Sequence, residues 1–368
     1  MLTGAALRAF RKNLLAWFRT HRRELPWRVN KDPYRIWVSE IMLQQTRVAA
    51  VIPYFERFLA RFPTIAALAE APAEEVLRLW SGLGYYSRAR NLQRAAQQIA
   101  GKHRGNFPQS QEELLALAGI GEYTSAAILS IAYEQPLAVL DGNVARVLAR
   151  LFAVRGDLRE PANWRRLLDC AGKLLERKSP GDWNQAMMEL GATVCTPRAP
   201  RCLLCPVAKF CTARKLGLQD KIPEKRRKRA TAKVSLAAAV FVDAHGRTLL
   251  LPPPTADGEQ ITAEHVPTLV SRMWHFPTIA TAGDPRSELE KHLHLLLAPK
   301  KLGTAVLAPL AQVRHTVTYR QISISPFRVD VAKLPALAKA KTVALADAGT
   351  LAISNLTRKI VQAALDRS

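Results

Sequence analysis

The chain has 368 residues, of which 48% are hydrophobic, so it can bury a large core and is expected to divide into two or three domains. No apolar run has the length of a membrane span and the start (MLTGAALRAFRKNL) lacks a signal-peptide layout, which predicts a cytoplasmic, nucleoid-associated protein without a membrane partner. The formal net charge is +24. Residues 234–368 carry 15 basic and 10 acidic side chains, net +5, which leaves +19 for residues 1–233. This favours nucleic acid as the partner of the first two thirds, although charge alone does not distinguish it from an acidic membrane surface.

Two regions with different secondary-structure patterns follow one another. Residues 5–220 carry apolar residues at helical spacing and are expected to be almost entirely helical. The basic segment 221–233 (KIPEKRRKRATAK) indicates an exposed linker, either a DNA-backbone contact or a solvated stretch without a partner. Beyond it, strand-like runs (VSLAAAVFV, RQISISPFRVD) and helical runs (SELEKHLHLLL, LAISNLTRKIVQAAL) predict an α+β domain over residues 234–368.

A short glycine turn joins two apolar helical segments in LLALAGIGEYTSAAILSIAY, residues 114–133. Gly119 and Gly121 allow a tight turn and expose backbone N–H groups beside the start of the second helix, where the helix dipole attracts phosphate. The same residues also fit an ordinary helical hairpin. The basic charge of this region favours the interpretation as a DNA phosphate contact.

Four of the five cysteines lie close together in VCTPRAPRCLLCPVAKFC, at Cys195, Cys202, Cys205 and Cys211. Such short loops can bring four thiolates to one centre, as tetrahedral zinc or an iron–sulphur cluster requires. Zinc ribbons usually pair two C-x2-C knuckles and only one such pair is present, so one 4Fe–4S cluster is the favoured interpretation. Disulfides are the alternative, but they are not expected without a signal peptide. Cys170 fits a buried helical position.

Two carboxylates stand at positions that suit catalysis. In PLAVLDGNVARVL, residues 136–148, Asp141 lies where an apolar run ends and a helix begins, so it is a helix N-cap, a catalytic group or both. Glu40 lies on the apolar face of its helix, four residues after Ile36 and three after Trp37. Desolvation there would raise its pKa and keep it protonated, as a general acid requires. A buried Glu paired with an Arg is the alternative.

Together these segments resemble the helix-hairpin-helix DNA glycosylase superfamily in its iron–sulphur branch, and within it the adenine DNA glycosylases. The resemblance also rests on LPWR (25–28), VSEIMLQQTRV (38–48), WSGLGYYSRARNL (80–92), LDGNVARVL (140–148) and WNQAMMELGA (183–192). It covers residues 5–215 closely and the last third loosely.

The resemblance implies a mainly α part over residues 1–220. A six-helix barrel module with the helix-hairpin-helix spans about 30–140, and an iron–sulphur cluster module combines 1–29 with 141–220. DNA lies across the cleft between these modules. A C-terminal α+β domain similar to Nudix hydrolases, residues 234–368, contacts the base opposite the target. The implied partner is double-stranded DNA with a mismatch, bound by a monomer.

The resemblance also implies a catalytic role for individual residues. Glu40 donates a proton to N7 of adenine, and Asp141, held ionised by the helix dipole and backbone donors, stabilises the oxocarbenium-like sugar or bonds to it until water attacks. Asn143 orients Asp141. Tyr123 stands where bifunctional enzymes similar to endonuclease III carry a lysine, and since tyrosine forms no Schiff base, a monofunctional glycosylase is expected. Tyr123 is a candidate hydrogen-bond partner of Asp141, with an aromatic core residue as the alternative.

Adenine reaches these groups only after it leaves the duplex. Tyr85, in the exposed loop GLGYYSR, matches the wedge that the family inserts into the base stack, and Gln45 matches a residue that fills the gap. A packing anchor is the alternative for Tyr85. The positions around the adenine pocket are matched by Trp27, Arg28, Leu43, Gln185 and Met188.

The last third departs from the family in two places. No Glu-rich Nudix metal box follows MWHFPTI (273–279), so pyrophosphohydrolase activity is not expected. Where the family reads 8-oxoguanine through Phe-Ser-His, this chain offers Val317, Thr318 and Tyr319. Thr318 keeps a hydroxyl and Tyr319 a ring with a polar tip, so recognition of 8-oxoguanine is expected to survive. How strongly 8-oxoguanine is preferred over guanine as the opposite base is left open.

Three functions follow, in order of preference. The first is removal of adenine mispaired with 8-oxoguanine or guanine, which leaves an abasic site for base excision repair. The second is a glycosylase with another mismatch or oxidised-pyrimidine preference. The third is a lesion-binding protein without catalysis, against which the pair of Glu40 and Asp141 argues because binding alone needs neither.

Overall fold

The computed structural model describes residues 2–224, 230–253, 273–297, 306–317 and 319–366. The chain forms two compact units, Met1–Ala71 with Arg90–Arg227, and Pro72–Ala89 with Lys228–Ser368. The segment Pro72–Ala89 therefore packs with the C-terminal part, which no sequence pattern indicated. The predicted module boundaries stay a prediction. Within the expected linker, residues 225–229 lie outside the described residues.

The first unit is helical throughout the part that the structure describes. The α-helices up to residue 224 are α1 (Gly4–His21), α2 (Pro33–Leu43), α3 (Val48–Arg61), α4 (Ile65–Glu70), α5 (Ala73–Trp80), α6 (Ser87–Lys102), α7 (Gln111–Leu115), α8 (Glu122–Tyr133), α9 (Gly142–Leu151), α10 (Pro161–Leu174), α11 (Pro180–Thr193) and α12 (Thr212–Lys215). Of these, α5 and the first residues of α6 belong to the second unit. Among the described residues, no helix combines the length and apolar character needed to cross a membrane.

Helix α8 lies at the centre of the first unit, and every residue from Thr124 to Ile131 is buried. It packs against α2 on one side and α11 on another. The two helices α8 and α11 approach closely at Gly181. A Cβ at this position would stand 2.6 Å from the Ser130 carbonyl oxygen, so only glycine fits there. The buried Asn184 amide donates to Ser130 Oγ (2.9 Å) and Leu137 O (2.7 Å), which fixes the chain that leads to α9.

The second unit contains a mixed sheet. The strands are β1 (Ala232–Asp243), β2 (Arg247–Leu250), β3 (Thr278–Ala280), β4 (Leu307–Pro309), β5 (Val313–Val317), β6 (Arg320–Val331) and β7 (Lys341–Ala344). The order is β3-β1-β6-β4, with β5 also paired to β6, and β2 pairs with β7. Strands β1 and β6 run parallel in the register Ala232 to Arg320, while the other pairs are antiparallel.

Both faces of this sheet are covered because side chains alternate along β1. Leu236, Ala238 and Val240 face a core that includes the last helix, α14 (Asn355–Leu365). Ala237, Ala239 and Phe241 face a second core formed with α13 (Pro285–Leu297). The expected combination of strands and helices in this part of the chain is confirmed, whereas its likeness to Nudix hydrolases stays a prediction.

Candidate active site

One cavity of about 280 Å³ brings most of the predicted site residues together. It opens among α2, α8, α9 and α11 and the short 3-10 helix Pro26–Arg28. Of the predicted residues, its walls include Trp27, Arg28, Glu40, Leu43, Gln45, Tyr123, Asp141, Asn143, Gln185 and Met188. Residues from four separate stretches of the chain, 23–48, 123–131, 141–143 and 185–192, thus share one concave site, which is the usual form of a ligand pocket.

Glu40 is buried near the end of α2, with 7% of its surface exposed. Burial raises its pKa to about 7, against the hydrogen bond from Tyr123, which lowers it. The nearby charge of Asp141 adds to the rise and the charge of Arg28 opposes it. The carboxyl group therefore keeps a proton available near neutral pH, as the sequence predicted.

Tyr123, in the first turn of α8, contacts Glu40 rather than Asp141. Its hydroxyl donates to Glu40 Oε2 (2.8 Å) and also lies 3.3 Å from Met188 Sδ. Burial raises the pKa of Tyr123 well above its ordinary value, and the neighbouring carboxylates raise it further. Asp141 was the candidate partner suggested by the resemblance, but the Tyr123 hydroxyl meets Glu40 instead, because α8 packs against α2.

The variant Tyr123→Phe is expected to shift the pH profile of the reaction that depends on protonated Glu40. The Tyr123 hydrogen bond lowers the Glu40 pKa, so its loss should move the alkaline limit upward by up to about one pH unit. The check is the single-turnover rate against pH. Tyr133→Phe in the same helix, whose hydroxyl contacts Phe107 O (3.5 Å), is the control. An unchanged alkaline limit would contradict the assigned role.

Asp141 is the N-cap of α9. Its Oδ1 accepts from Val144 N (2.7 Å) and its Oδ2 accepts from Asn143 Nδ2 (2.9 Å), so the carboxylate has a fixed orientation. The N-cap geometry expected from the sequence is present, with φ −103° and ψ −177°. However, burial raises the Asp141 pKa above its ordinary value and outweighs the donors that lower it. Desolvation therefore exceeds the contribution of the helix start, and the expectation that Asp141 stays ionised remains a prediction.

Asn143 is itself held from two sides. Arg146 Nη2 donates to Asn143 Oδ1 (2.9 Å) and to Gly191 O (2.8 Å). A Cβ at Gly191 would stand 2.7 Å from Asn143 Cβ, so only glycine allows α11 to approach α9 this closely. Arg146 Nε also donates to Cys195 O (2.8 Å). The side chain that orients Asp141 is thus linked to the start of the cysteine segment.

Glu189 and Arg23 line the same cavity and were not among the predicted residues. Glu189 is 1% exposed, and its carboxylate accepts from Arg23 Nε (2.6 Å) and Arg28 Nη2 (2.9 Å). Burial would raise the Glu189 pKa, but the two guanidinium groups outweigh it and lower the pKa. The sequence contained a clue to Glu189 as a pocket residue. It follows the predicted pocket residue Gln185 by four positions and therefore lies on the same face of α11.

The glycine turn between α7 and α8 adopts a left-handed conformation at its first glycine only. Gly119 adopts φ +76°, and a Cβ there would stand 2.7 Å from Asn91 Cβ. Gly121 is the N-cap of α8 with extended backbone and open space where a Cβ would be. The turn between α7 and α8 therefore needs glycine at the first position and not at the second. The phosphate contact stays a prediction.

Gly119→Ala is expected to lower the free energy of unfolding by about 1–3 kcal/mol. An alanine backbone is strained at this positive φ, and its Cβ would clash with Asn91. Gly121→Ala is the matched control and should change it by less than about 1 kcal/mol. Denaturant unfolding of both variants measures the difference. Equal effects would show that the turn tolerates a side chain at either position.

Tyr85 and Gln45 share an uncommon backbone conformation. Tyr85 has φ +49° with 42% of its surface exposed, and Gln45 has φ +58°. Non-glycine residues in this region cost energy and concentrate at functional sites. Gln45 lines the cavity of the first unit, while Tyr85 belongs to the second. Their predicted contacts with DNA remain predictions.

The four cysteines line one small cavity of about 30 Å³ together with Arg150. All are free thiols, and Arg150 Nη1 donates to Cys195 Sγ (3.2 Å). Burial raises the Cys205 pKa to about 11, and burial with neighbouring thiols raises those of Cys202 and Cys211. Among the described residues, no set of three or more His, Cys, Asp or Glu side chains is placed to hold a metal ion. The chemistry of the donor set nevertheless fits a sulphur-ligated cluster, because four soft thiol ligands line one cavity beside the buried guanidinium of Arg150.

The residues expected to read the opposite base are described only in part. Thr318 lies outside the described residues. Tyr319 is half-buried, and the Arg320 guanidinium lies 5.2 Å from its ring. Tyr319 O accepts from Ala232 N (2.9 Å), which ties the turn before β6 to the start of β1.

Comparison with known proteins defines the class. Residues 38–171 match the family described as HhH-GPD superfamily base excision DNA repair protein, and residues 195–211 match the iron-sulfur binding domain of endonuclease III. The structure of a thermostable thymine-DNA glycosylase aligns with TM-score 0.53 and 28% identity, and covers 57% of this chain and 97% of that chain. The helical part of the chain is therefore similar to helix-hairpin-helix DNA glycosylases, and the resemblance to their iron–sulphur branch is confirmed.

The particular relatives are adenine DNA glycosylases. The one from Rattus norvegicus is 48% identical over 218 residues, which is 57% of this chain and 42% of the relative. The one from Buchnera aphidicola subsp. Acyrthosiphon pisum is 40% identical over 221 residues, which is 60% of this chain and 63% of the relative. The chain thus spans less than two thirds of the length of these curated relatives.

Proposed function

We propose that this protein is a monofunctional DNA glycosylase that removes adenine mispaired with 8-oxoguanine or guanine and leaves an abasic site. The observation that carries the proposal is the shared cavity of Glu40 and Asp141, one carboxyl group deeply buried and the other anchored at a helix start. Similarity to adenine DNA glycosylases supports adenine as the base.

The two carboxyl groups divide the chemistry between them. Glu40, with a pKa near 7, donates a proton to the departing base, since a neutral leaving group departs more readily than an anion. Asp141, held by Val144 N and Asn143, carries the negative charge that stabilises the developing cationic sugar. Water then completes the hydrolysis. Because Tyr123 has no amine, the sugar forms no Schiff base and the strand is not cut.

We further propose that Cys195, Cys202, Cys205 and Cys211 hold one 4Fe–4S cluster. The four thiols share a cavity and lie beside Arg150, whose charge would offset that of the thiolates. When bound, the cluster cross-links the segment after α11. Iron and acid-labile sulphide in equal amounts are the expected result of metal analysis. Stoichiometric zinc without iron would contradict this assignment.

We propose double-stranded DNA as the partner of a monomeric protein, with the opposite base read by the Nudix-like C-terminal domain. A cavity of about 630 Å³ in that domain is lined by Lys233, Arg314 and Lys359. This concentration of positive charge suits a DNA backbone. Tyr319 supplies an aromatic face with a polar tip for the base. The cytoplasmic, nucleoid-associated location stays a prediction.

The test is incubation with duplexes that carry adenine opposite 8-oxoguanine, guanine or thymine, and oxidised pyrimidines, each with and without alkali. We expect alkali-dependent cleavage at adenine opposite 8-oxoguanine and guanine. Preference for another lesion would favour the second function considered from the sequence. Strand cleavage without alkali, with a borohydride-trapped adduct, would contradict a monofunctional enzyme.

A further inference from the structure

The loop that presents Tyr85 is short and shaped by its own backbone. Gly82 and Gly84 have φ of +103° and +77°, and Tyr85 follows in the same region. The buried Trp80 donates through Nε1 to Gly84 O (3.1 Å), which closes the loop onto the end of α5. The Arg88 guanidinium lies 5.4 Å from the Tyr85 ring.

The start of the last helix, α14, holds the beginning of this loop. Asn355 Nδ2 donates to Gly82 O (3.0 Å), and Arg358 Nη2 donates to Ser81 Oγ (2.9 Å). Ser81 Oγ in turn donates to Ile353 O (2.8 Å). Three hydrogen bonds therefore join two consecutive loop residues to residues more than 270 positions later in the chain.

Helix α14 is firmly attached to the sheet of the second unit. The buried Ser354 is its N-cap and accepts from Thr357 N (3.0 Å). Leu356 and Ile360 pack in the core beneath β1. Asn355, between the cap and this core, thus presents its amide from a rigid position.

A second connection lies at the other end of α5. Glu74 Oε1 accepts from Trp274 Nε1 (3.1 Å) and from Lys341 Nζ (3.1 Å). Lys341 also lies 5.6 Å from the Trp274 ring. Within the second unit, the helix that precedes the Tyr85 loop is therefore held at both its start and its end by residues from the C-terminal part of the chain.

We propose that Asn355, together with Ser81 and Arg358, positions the Tyr85 loop, so that the domain proposed to read the opposite base also sets how Tyr85 enters the base stack. This inference rests on the proposed function. Asn355 touches no substrate and acts only through Gly82 O. Loss of its donor frees the loop, which lowers the fraction of complexes with an inserted Tyr85 and an extruded adenine.

The decisive variant is Asn355→Asp, which keeps the side-chain size, suits the first turn of a helix and removes the donor to Gly82 O. Ser81→Ala removes the hydroxyl that accepts from Arg358 and donates to Ile353 O. For each, adenine excision is measured in single turnover on the 8-oxoguanine mispair, with the dissociation constant for the same duplex. Unstacking is followed separately by the fluorescence of 2-aminopurine placed at the adenine position.

We expect Asn355→Asp to lower the excision rate and the unstacking rate about five-fold, as for loss of one hydrogen bond, with DNA affinity changed by less than about two-fold. In the Tyr85→Ala background the same substitution should have no further effect. Gln362→Ala, at an exposed position of α14 whose side-chain amide donates to Asp366 Oδ1 (2.6 Å), should behave as the wild type.

Wild-type unstacking in both Asn355→Asp and Ser81→Ala would overturn the inference. The inference would also fail if Asn355→Asp lowered the unstacking rate equally in the Tyr85→Ala background, since the effect would then not pass through Tyr85. If the wild type extrudes 2-aminopurine but excises no adenine, the proposed function fails. The unstacking comparison still decides the positioning role, because it needs no bond cleavage.

Discussion

If the proposed function holds, Asp141→Asn should lower the single-turnover rate of adenine excision at least about a hundred-fold, because it removes the charge proposed to stabilise the cationic sugar. The structure predicts that the fold survives. Asparagine is as good an N-cap as aspartate and its side-chain oxygen can still accept from Val144 N. The loss therefore reports on charge and not on the architecture of α9.

Stability should move in the opposite direction to activity in this variant. Burial raises the Asp141 pKa, which means that the folded protein holds the charged form at a cost. A neutral side chain removes this cost, so the Tm of Asp141→Asn should equal or exceed that of the wild type. Affinity for the mismatched duplex should be retained.

The matched control for Asp141→Asn is Asp169→Asn, which changes an exposed carboxylate paired with Lys173 in α10. It should leave excision unchanged. Near-normal turnover by Asp141→Asn would refute the assignment of Asp141 as the charge that stabilises the sugar. A parallel loss of DNA binding and Tm would point instead to a structural role.

Glu40→Gln is expected to reduce the excision rate by about 10²–10⁴, the usual contribution of a general acid. Glutamine keeps the size of the side chain and can still contact the Tyr123 hydroxyl, so the cavity should keep its shape. The change removes only the transferable proton. Single-turnover excision measures the effect, with binding of the mismatched duplex as the check on integrity.

The pH profile gives an independent test of Glu40. Its pKa is raised to about 7, so the protonated form prevails below that pH and is lost above it. The wild-type rate should therefore fall about ten-fold per unit well above pH 7, while protonation of Asp141 produces a decline on the acid side. Glu40→Gln should lose the alkaline limb and keep the acid one. An alkaline limb that persists would assign it to another group.

Local chemistry explains why several features of the candidate site were predictable from the sequence. The position of Glu40 on an apolar helix face, the N-cap of Asp141 and the left-handed turn at Gly119 each depend on a few neighbouring residues. The cysteine spacing is equally local. The helical first part and the mixed second part follow from hydrophobic periodicity, which a single sequence displays.

Contacts between distant segments were decided only by the tertiary structure. Tyr123 meets Glu40 because α8 packs against α2, and Glu189 accepts from Arg23 and Arg28 because α11 approaches the chain before α2. Pro72–Ala89 joins the C-terminal unit through contacts that span 200 residues or more.

The charge state of Asp141 shows the same division. The sequence by itself determined its residue type, its place at the start of a helix and the donors within three residues that hold it. Those features alone would lower its pKa. The walls of the cavity come from four separate segments, and their combined desolvation raises it. Burial is a sum over the whole fold, so only the tertiary structure decides which effect is larger.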